Sequence, residues 1–160
     1  MGGATARAFV EGEALVNIDT ILGVKGRKVH TVTARLTVGD AMRQMHEARV
    51  SALVVSEDGA QIDGIVSDRG LMSVLVEHGT DVMSRGIGEV MTRKVFTCSR
   101  GDSVGAIMAM MTGRRIRHIP VVEEDGRLCG IVSIGDVVKH HLDEIQREAA
   151  DLREYISGSV

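Results

Sequence analysis

Aromatic residues are nearly absent: Phe9, Phe96 and Tyr155 are the whole set, with no tryptophan, against nine methionines. The core must therefore be aliphatic and Met-rich, and the exposed rings on which single-stranded nucleic acids stack are excluded. Excess charge is lacking too. A formal charge of −3 supplies no electrostatic footprint for nucleic acid, which is not expected as a partner on this composition. No apolar run approaches a membrane span, and the first residues lack the basic-then-apolar layout of a secretory signal. A cytoplasmic protein with no membrane partner is the expectation. Met1-Gly2 does not complete a myristoylation motif, because Ala6 stands where Ser or Thr is needed. Cys98 and Cys129 are the only cysteines, each inside an apolar strand-like run, and are expected to be buried free thiols rather than a redox pair.

Catalytic patterns are missing as well. His140 and His141 are adjacent on a helical stretch and point about 100° apart, unlike a metal-binding pair, while His30, His46, His78 and His118 are scattered. No Cys-His or Glu-x-x-His pattern and no Gly-x-x-x-x-Gly-Lys loop is found. No catalytic residues, no metal and no enzyme activity are expected.

What the chain does contain is a repeat. Gly64-Ile65-Val66-Ser67 recurs 66 positions on as Gly130-Ile131-Val132-Ser133, and at the same displacement Val29/Val95, Thr31/Thr97, Val38/Val104, Met42/Met108, Met45/Met111, Arg49/Arg115 and Val55/Val121 match without gaps. Two copies of this length read as two half-domains about a pseudo-two-fold axis, with ligand clefts between them. Each copy reads β-α-β-β-α, which gives an α/β (α+β) fold. Strands are expected at Val29–Val32, Ala52–Val55 and Ile62–Val66, and helices after the Thr37 cap and from about Arg69. The counterparts are Val95–Cys98, Ser103–Thr112, Ile119–Val122, Leu128–Val132 and Asp136 onward. Residues 1–16 read as a disordered arm, 17–79 as the first repeat, 80–86 as a short polar connector, 87–145 as the second repeat and 146–160 as the end of a long C-terminal helix and its tail. That helix keeps an apolar stripe through Val138, Leu142, Ile145, Ala149, Leu152 and Ile156, for which a homodimer partner is expected.

The order Val90-Met91-Thr92, Val95-Phe96-Thr97, Arg115-Ile116-Arg117-His118-Ile119-Pro120-Val121-Val122 and Gly130-Ile131-Val132-Ser133-Ile134-Gly135-Asp136 resembles a tandem pair of cystathionine-β-synthase (CBS) domains, a Bateman module, over about residues 17–145. The chain is similar to the small stand-alone bacterial proteins of that kind. The resemblance implies adenosine nucleotides bound in clefts between the repeats: AMP for preference, with ADP, ATP and NAD(H) as alternatives. It implies an energy-state sensor acting through an unidentified regulated protein, with an NAD(H)-linked redox sensor or a ligand-free structural or nucleic-acid-associated dimer as the competing readings.

The site residues implied are Ser133 for phosphate or ribose, Asp136 for the ribose hydroxyls, Gly130 for close backbone approach, Thr97 beside the adenine edge, Pro120 within the strand motif, and Arg117 and His118 for phosphates. Read from the residues alone, Ser133-x-x-Asp136 is equally a helix cap, Thr97 a strand residue, and Arg117 a solvated edge. The first repeat keeps Ser67 and Arg69 but has Gly70 in place of the acid and Ser51-Ala52 in place of Arg117-His118, so its cleft is expected to be the weaker. Asp68 is expected to point elsewhere, and Lys25, Arg27 and Lys28 read as a solvated basic linker.

Overall fold

Two three-stranded sheets of identical topology carry the chain; the computed structural model describes residues 16–158. Apart from Val16, the expected disordered arm lies outside the described residues. The helices are α1 (Ile18–Lys25), α2 (Val38–Ala48), α3 (Asp68–His78), α4 (Val104–Arg114) and α5 (Ile134–Ser157). The strands are β1 (Thr31–Val32), β2 (Ala52–Val55), β3 (Gly64–Ser67), β4 (Cys98–Ser99), β5 (His118–Val122) and β6 (Leu128–Ser133). In each sheet the first strand runs parallel to the second and the second antiparallel to the third.

The repeat extends to the helix ends. Thr37 Oγ1 accepts from the Asp40 amide at 3.1 Å to start α2, and Ser103 Oγ accepts from the Ala106 amide at 3.2 Å to start α4. Both helices stop on an arginine in the left-handed region, Arg49 at φ 54° and Arg115 at φ 55°. Val38, Ala41 and Met45 bury the inner face of α2, and Val104, Ile107 and Met111 that of α4.

The expected entry strands are shortened. β1 begins at Thr31 and β4 at Cys98, because Val29–His30 and Lys94–Phe96 leave their sheets to wall the clefts between the halves. β3 begins at Gly64 rather than Ile62, because Asp58 Oδ1 accepts from the Ala60 and Gln61 amides and draws those residues into a tight turn. α5 begins two residues earlier than expected, directly after Ser133.

Each half is completed by the segment that precedes the other. Ile18, Ile21 and Leu22 of α1 are buried in the second-half core with Cys98, Ile107, Ile119 and Val132. Reciprocally, Val82 and Ile87, from short 3-10 turns at Thr80–Ser84 and Ile87–Glu89, are buried in the first-half core with Val38, Leu53 and Leu71. The stretch expected to be a polar connector is thus part of a core. Backbone bonds fix both exchanges: Ile18 N–H and Asp19 N–H donate to Asp102 and Arg100 carbonyls, while Ile87 N–H and Gly88 N–H donate to those of Leu36 and Ala34. Arg100 adds ion pairs to Asp19 at 2.8 Å and to Glu123 at 3.2 Å, pinning α1 to the second half. Cys98 is buried, which pushes its thiol up to about 12, whereas Cys129 is only half-buried; both are free.

Candidate functional site

Where each half meets the other, a strand-to-helix junction faces a loop from the opposite side, and two clefts result. Cleft 1 has a volume of about 350 Å³ and runs from Ser67–Gly70, at the start of α3, to Lys94–Phe96 and Arg115–His118 of the second half. Cleft 2, of about 280 Å³, runs from Ile131 and Ser133 at the end of β6 to Lys28–His30 and Arg49–Ala52 of the first half, with Lys25 at its side. The repeat displacement maps one cleft on the other. Both junctions are tied down alike, since Asp68 N–H donates to the Ser51 carbonyl and Ile134 N–H to that of Arg117.

Beside cleft 2, Ser133, which lines it, and Asp136, which does not itself line it, form the capping box that their spacing allows. Ser133 Oγ accepts from the Asp136 amide at 3.2 Å, and Asp136 Oδ2 accepts from the Ser133 amide at 2.9 Å. Asp136 Oδ2 also holds Lys25 Nζ at 2.5 Å. Burial alone would raise the Asp136 carboxyl, but Lys25 and the Ser133 amide more than offset it and leave it below the usual range. Lys25, read in the sequence as part of a solvated linker, is in fact the acid's partner. Its counterpart in the other half is Met91, just as the counterpart of Asp136 is Gly70, so the ion pair is present once and wholly absent once.

Of the residues expected at the site, Ser67, Arg69, Arg117 and His118 converge on cleft 1, and Ser133 lines cleft 2. Thr97 lies elsewhere, in a shallow recess with Arg93 and Arg127 between the two hairpins. Pro120 is buried in β5, paired with Ile131. Gly130 is also buried, and the close approach it permits is that of α1: a Cβ there would stand 2.8 and 2.9 Å from the Leu22 methyls. Gly64 plays the same part opposite Met91, where the distance would be 2.5 Å. Asp68 does not point away. As the first residue of α3 it lines cleft 1, with Oδ1 accepting from the Arg69 amide at 2.6 Å. Lys94, Phe96 and Arg115 in cleft 1, and Lys28, His30 and Arg49 in cleft 2, join the set; the signal for four of them was their matched displacement, Arg49 with Arg115 and Lys28 with Lys94.

His118, at the start of β5, lines both clefts. Burial lowers its pKa below 6.5, with Arg117 and Lys25 adding to the shift and Asp68 and Asp136 opposing it. As pH falls through 6.5 the unfolded chain takes up a proton that the folded chain resists, so stability is lost in that direction. The melting temperature is expected to drop between about pH 8 and pH 5.5, and His118→Gln to flatten that drop. An unchanged slope in the variant would remove His118 from the linkage.

Among the described residues no group of three or more His, Cys, Asp or Glu is placed to hold a metal, and no helix is long and apolar enough to cross a membrane. Similarity to known proteins follows the two halves. A protein from Arabidopsis thaliana, the CBS domain-containing protein CBSX3, mitochondrial, is 38% identical over 96% of this chain and 78% of its own length. The solved CBS-domain protein ATU1752 from Agrobacterium tumefaciens is 37% identical with a TM-score of 0.75, covering 79% of this chain and 99% of that one. The structure of CBSX2 in complex with AMP is 26% identical with a TM-score of 0.63, covering 74% and 90%. The family model of the CBS domain matches twice, at residues 24–77 and 87–143, one match to each half of the pseudo-symmetric fold, and the chain therefore belongs to the CBS-domain family as a tandem pair.

Proposed function

We propose that the protein is a regulatory module without catalytic activity that binds adenosine nucleotides in the clefts between its halves and reports their occupancy to a partner protein. The observation that carries this reading is the pair of clefts, each combining a serine at a strand-to-helix junction with cations and apolar walls from the opposite half. The related CBSX2 in complex with AMP supports the ligand class. Ser67 and Ser133 are the N-caps of α3 and α5, so a ligand held there touches the first turns of both helices. Those two helices also carry most of the large exposed apolar side chains among the described residues, including Met72 and Val76 on α3 and their counterparts Val138 and Leu142 on α5. A matched pair of such faces is self-complementary and suits a homodimer, in which nucleotide occupancy biases the packing of two copies and thereby what a partner meets.

In cleft 2, AMP-like binding calls on Asp136 to exchange its contact with Lys25 for the ribose hydroxyls, leaving the lysine to the phosphate. Titration calorimetry of AMP against wild type and Asp136→Ala checks it. Loss of a hydrogen-bonded charged group costs about 1.5–3 kcal/mol, so the variant is expected to bind at least about tenfold more weakly at one site. Equal affinities would take Asp136 out of the ribose contact. A thermal-shift screen that included ADP, ATP and NAD(H) and found NADH the strongest stabiliser would favour the redox-linked reading.

A further inference from the structure

Cleft 1 holds four cations, Arg69, Lys94, Arg115 and Arg117, and a single carboxylate, Asp68, which faces the Arg69 amide at 2.6 Å. None of the four is within ion-pair distance of any carboxylate among the described residues, whereas of the three cations of cleft 2, Lys25, Lys28 and Arg49, Lys25 is paired with Asp136 and two are left over. Like charges gathered around one cavity repel, and a bound polyanion relieves that cost. The surplus is the larger in cleft 1, four unpaired cations against two. Arg117 stands where the other half has Ser51, and Arg69 where it has Gly135.

Gly70 belongs to the same pattern. It occupies the position of Asp136, and a Cβ there would meet only Ser67 Oγ, at 3.2 Å, so packing does not demand a glycine. An acid at this point would reach the sugar's hydroxyls but cancel part of the positive charge. The segments that bring Lys94, Arg115 and Arg117 also bring Val95, Phe96 and Ile116 to the cavity, and Arg114 Cζ lies 4.1 Å from the Phe96 ring centroid, bracing the ring. The cavity thus combines apolar lining, a glycine where the other half has its acid, and four unpaired cations.

We propose that cleft 1 is a nucleoside triphosphate site that does not read the ribose hydroxyls, so that ribose and 2′-deoxyribose forms bind alike. This rests on the nucleotide-binding reading above and refines it: the larger cleft is the polyphosphate site, and the Asp136 cleft the one that reads the sugar. The triphosphate carries about four negative charges at neutral pH against the four cations, while a monophosphate engages only part of them.

Titration calorimetry with the full chain tests this with ATP, 2′-deoxy-ATP, AMP and inorganic tripolyphosphate. ATP is expected to bind at least about tenfold more tightly than AMP, and 2′-deoxy-ATP to fall within about threefold of ATP. Tripolyphosphate, which leaves the apolar wall unused, is expected to bind at least about tenfold more weakly than ATP. Arg117→Ala should weaken the tightest ATP site by about tenfold or more, and by more than Asp136→Ala does, since that carboxylate serves the other cleft. Gly70→Asp should weaken ATP and make 2′-deoxy-ATP the poorer ligand. All three positions are exposed or half-buried at the cleft edge, and the wild-type ligand ratios are read without any variant. Equal affinities for ATP and AMP, a strong penalty for the deoxy sugar, or tripolyphosphate as tight as ATP would each overturn the proposal. If ATP binding is lost in Asp136→Ala and kept in Arg117→Ala, nucleotide binding stands but cleft 1 is not its polyphosphate site. If neither ATP nor AMP binds, the functional reading falls with it.

Discussion

Leu22→Ala is expected to destabilise the protein by about 2–5 kcal/mol, the range for truncating a fully buried leucine. Leu22 is 1% exposed and fills the space in front of Gly130. Its loss opens a cavity between α1 and β6, and α1 is the element that completes the second-half core. The reverse change, Gly130→Ala, puts a methyl where the Leu22 methyls stand and is expected to cost about 1–3 kcal/mol by overpacking. Combined, the two should cost clearly less than their sum, since the new methyl occupies part of the space that the leucine vacates. Guanidinium denaturation of the wild type, both single variants and the double variant measures the coupling. Additive costs, or a Leu22→Ala variant as stable as the wild type, would contradict the packing of α1 against β6.

That dependence on α1 marks the boundary between what local pattern discloses and what it does not. The caps at Thr37 and Ser103, the apolar spacing of α2 and α4, and the buried run Ala52–Val55 are local features, and they form as expected. Asn17 caps α1 and Ile18, Ile21 and Leu22 have helical spacing, so a helix there was within reach of the same reading. What no local pattern states is that its apolar face belongs to a core assembled from residues 98–137, beyond the intervening half. The two glycines illustrate the same limit. Gly130 was legible as a position of close approach, expected of the ligand, but the approaching group is Leu22, and Gly64 is approached in the same way by Met91, each brought in from the opposite half.

The clefts were legible in kind and only partly in detail. Ser133-x-x-Asp136 satisfies the grammar of a helix cap, and the cap forms; a nucleotide role for the same atoms adds a demand that spacing does not encode. Asp68 was misread because its position was counted along a regular helix, whereas the first residue of α3 sits at the cleft wall. Lys25 and Asp136 are 111 residues apart, and their pairing depends on the exchange of α1 between the halves. Cations lining a cavity from three separate segments look like ordinary surface charge until the segments are brought together.

Charging the exposed apolar faces of α3 and α5 is expected to abolish the proposed dimer. Val76 is 79% and Leu142 52% exposed in the single chain, so Val76→Glu with Leu142→Glu leaves the fold of one copy undisturbed. Within a two-fold dimer each substitution appears twice in the interface, and an unpaired buried charge costs about 3–5 kcal/mol. That corresponds to roughly two to four powers of ten in the dissociation constant. Sedimentation at micromolar concentration should show a wild-type dimer and a monomeric double variant, with circular dichroism confirming unchanged helix content. A chain ending at His141 separates the contributions of the two ends of α5: it keeps Val138 but loses Ile145, Leu152 and Ile156, which are 47%, 62% and 71% exposed. A truncated dimer of full stability would confine the interface to the faces shared by α3 and the start of α5, next to the serine caps at the clefts. A wild-type monomer, or a double variant that remains dimeric, would detach those faces from assembly and with them the route by which nucleotide occupancy reaches a partner.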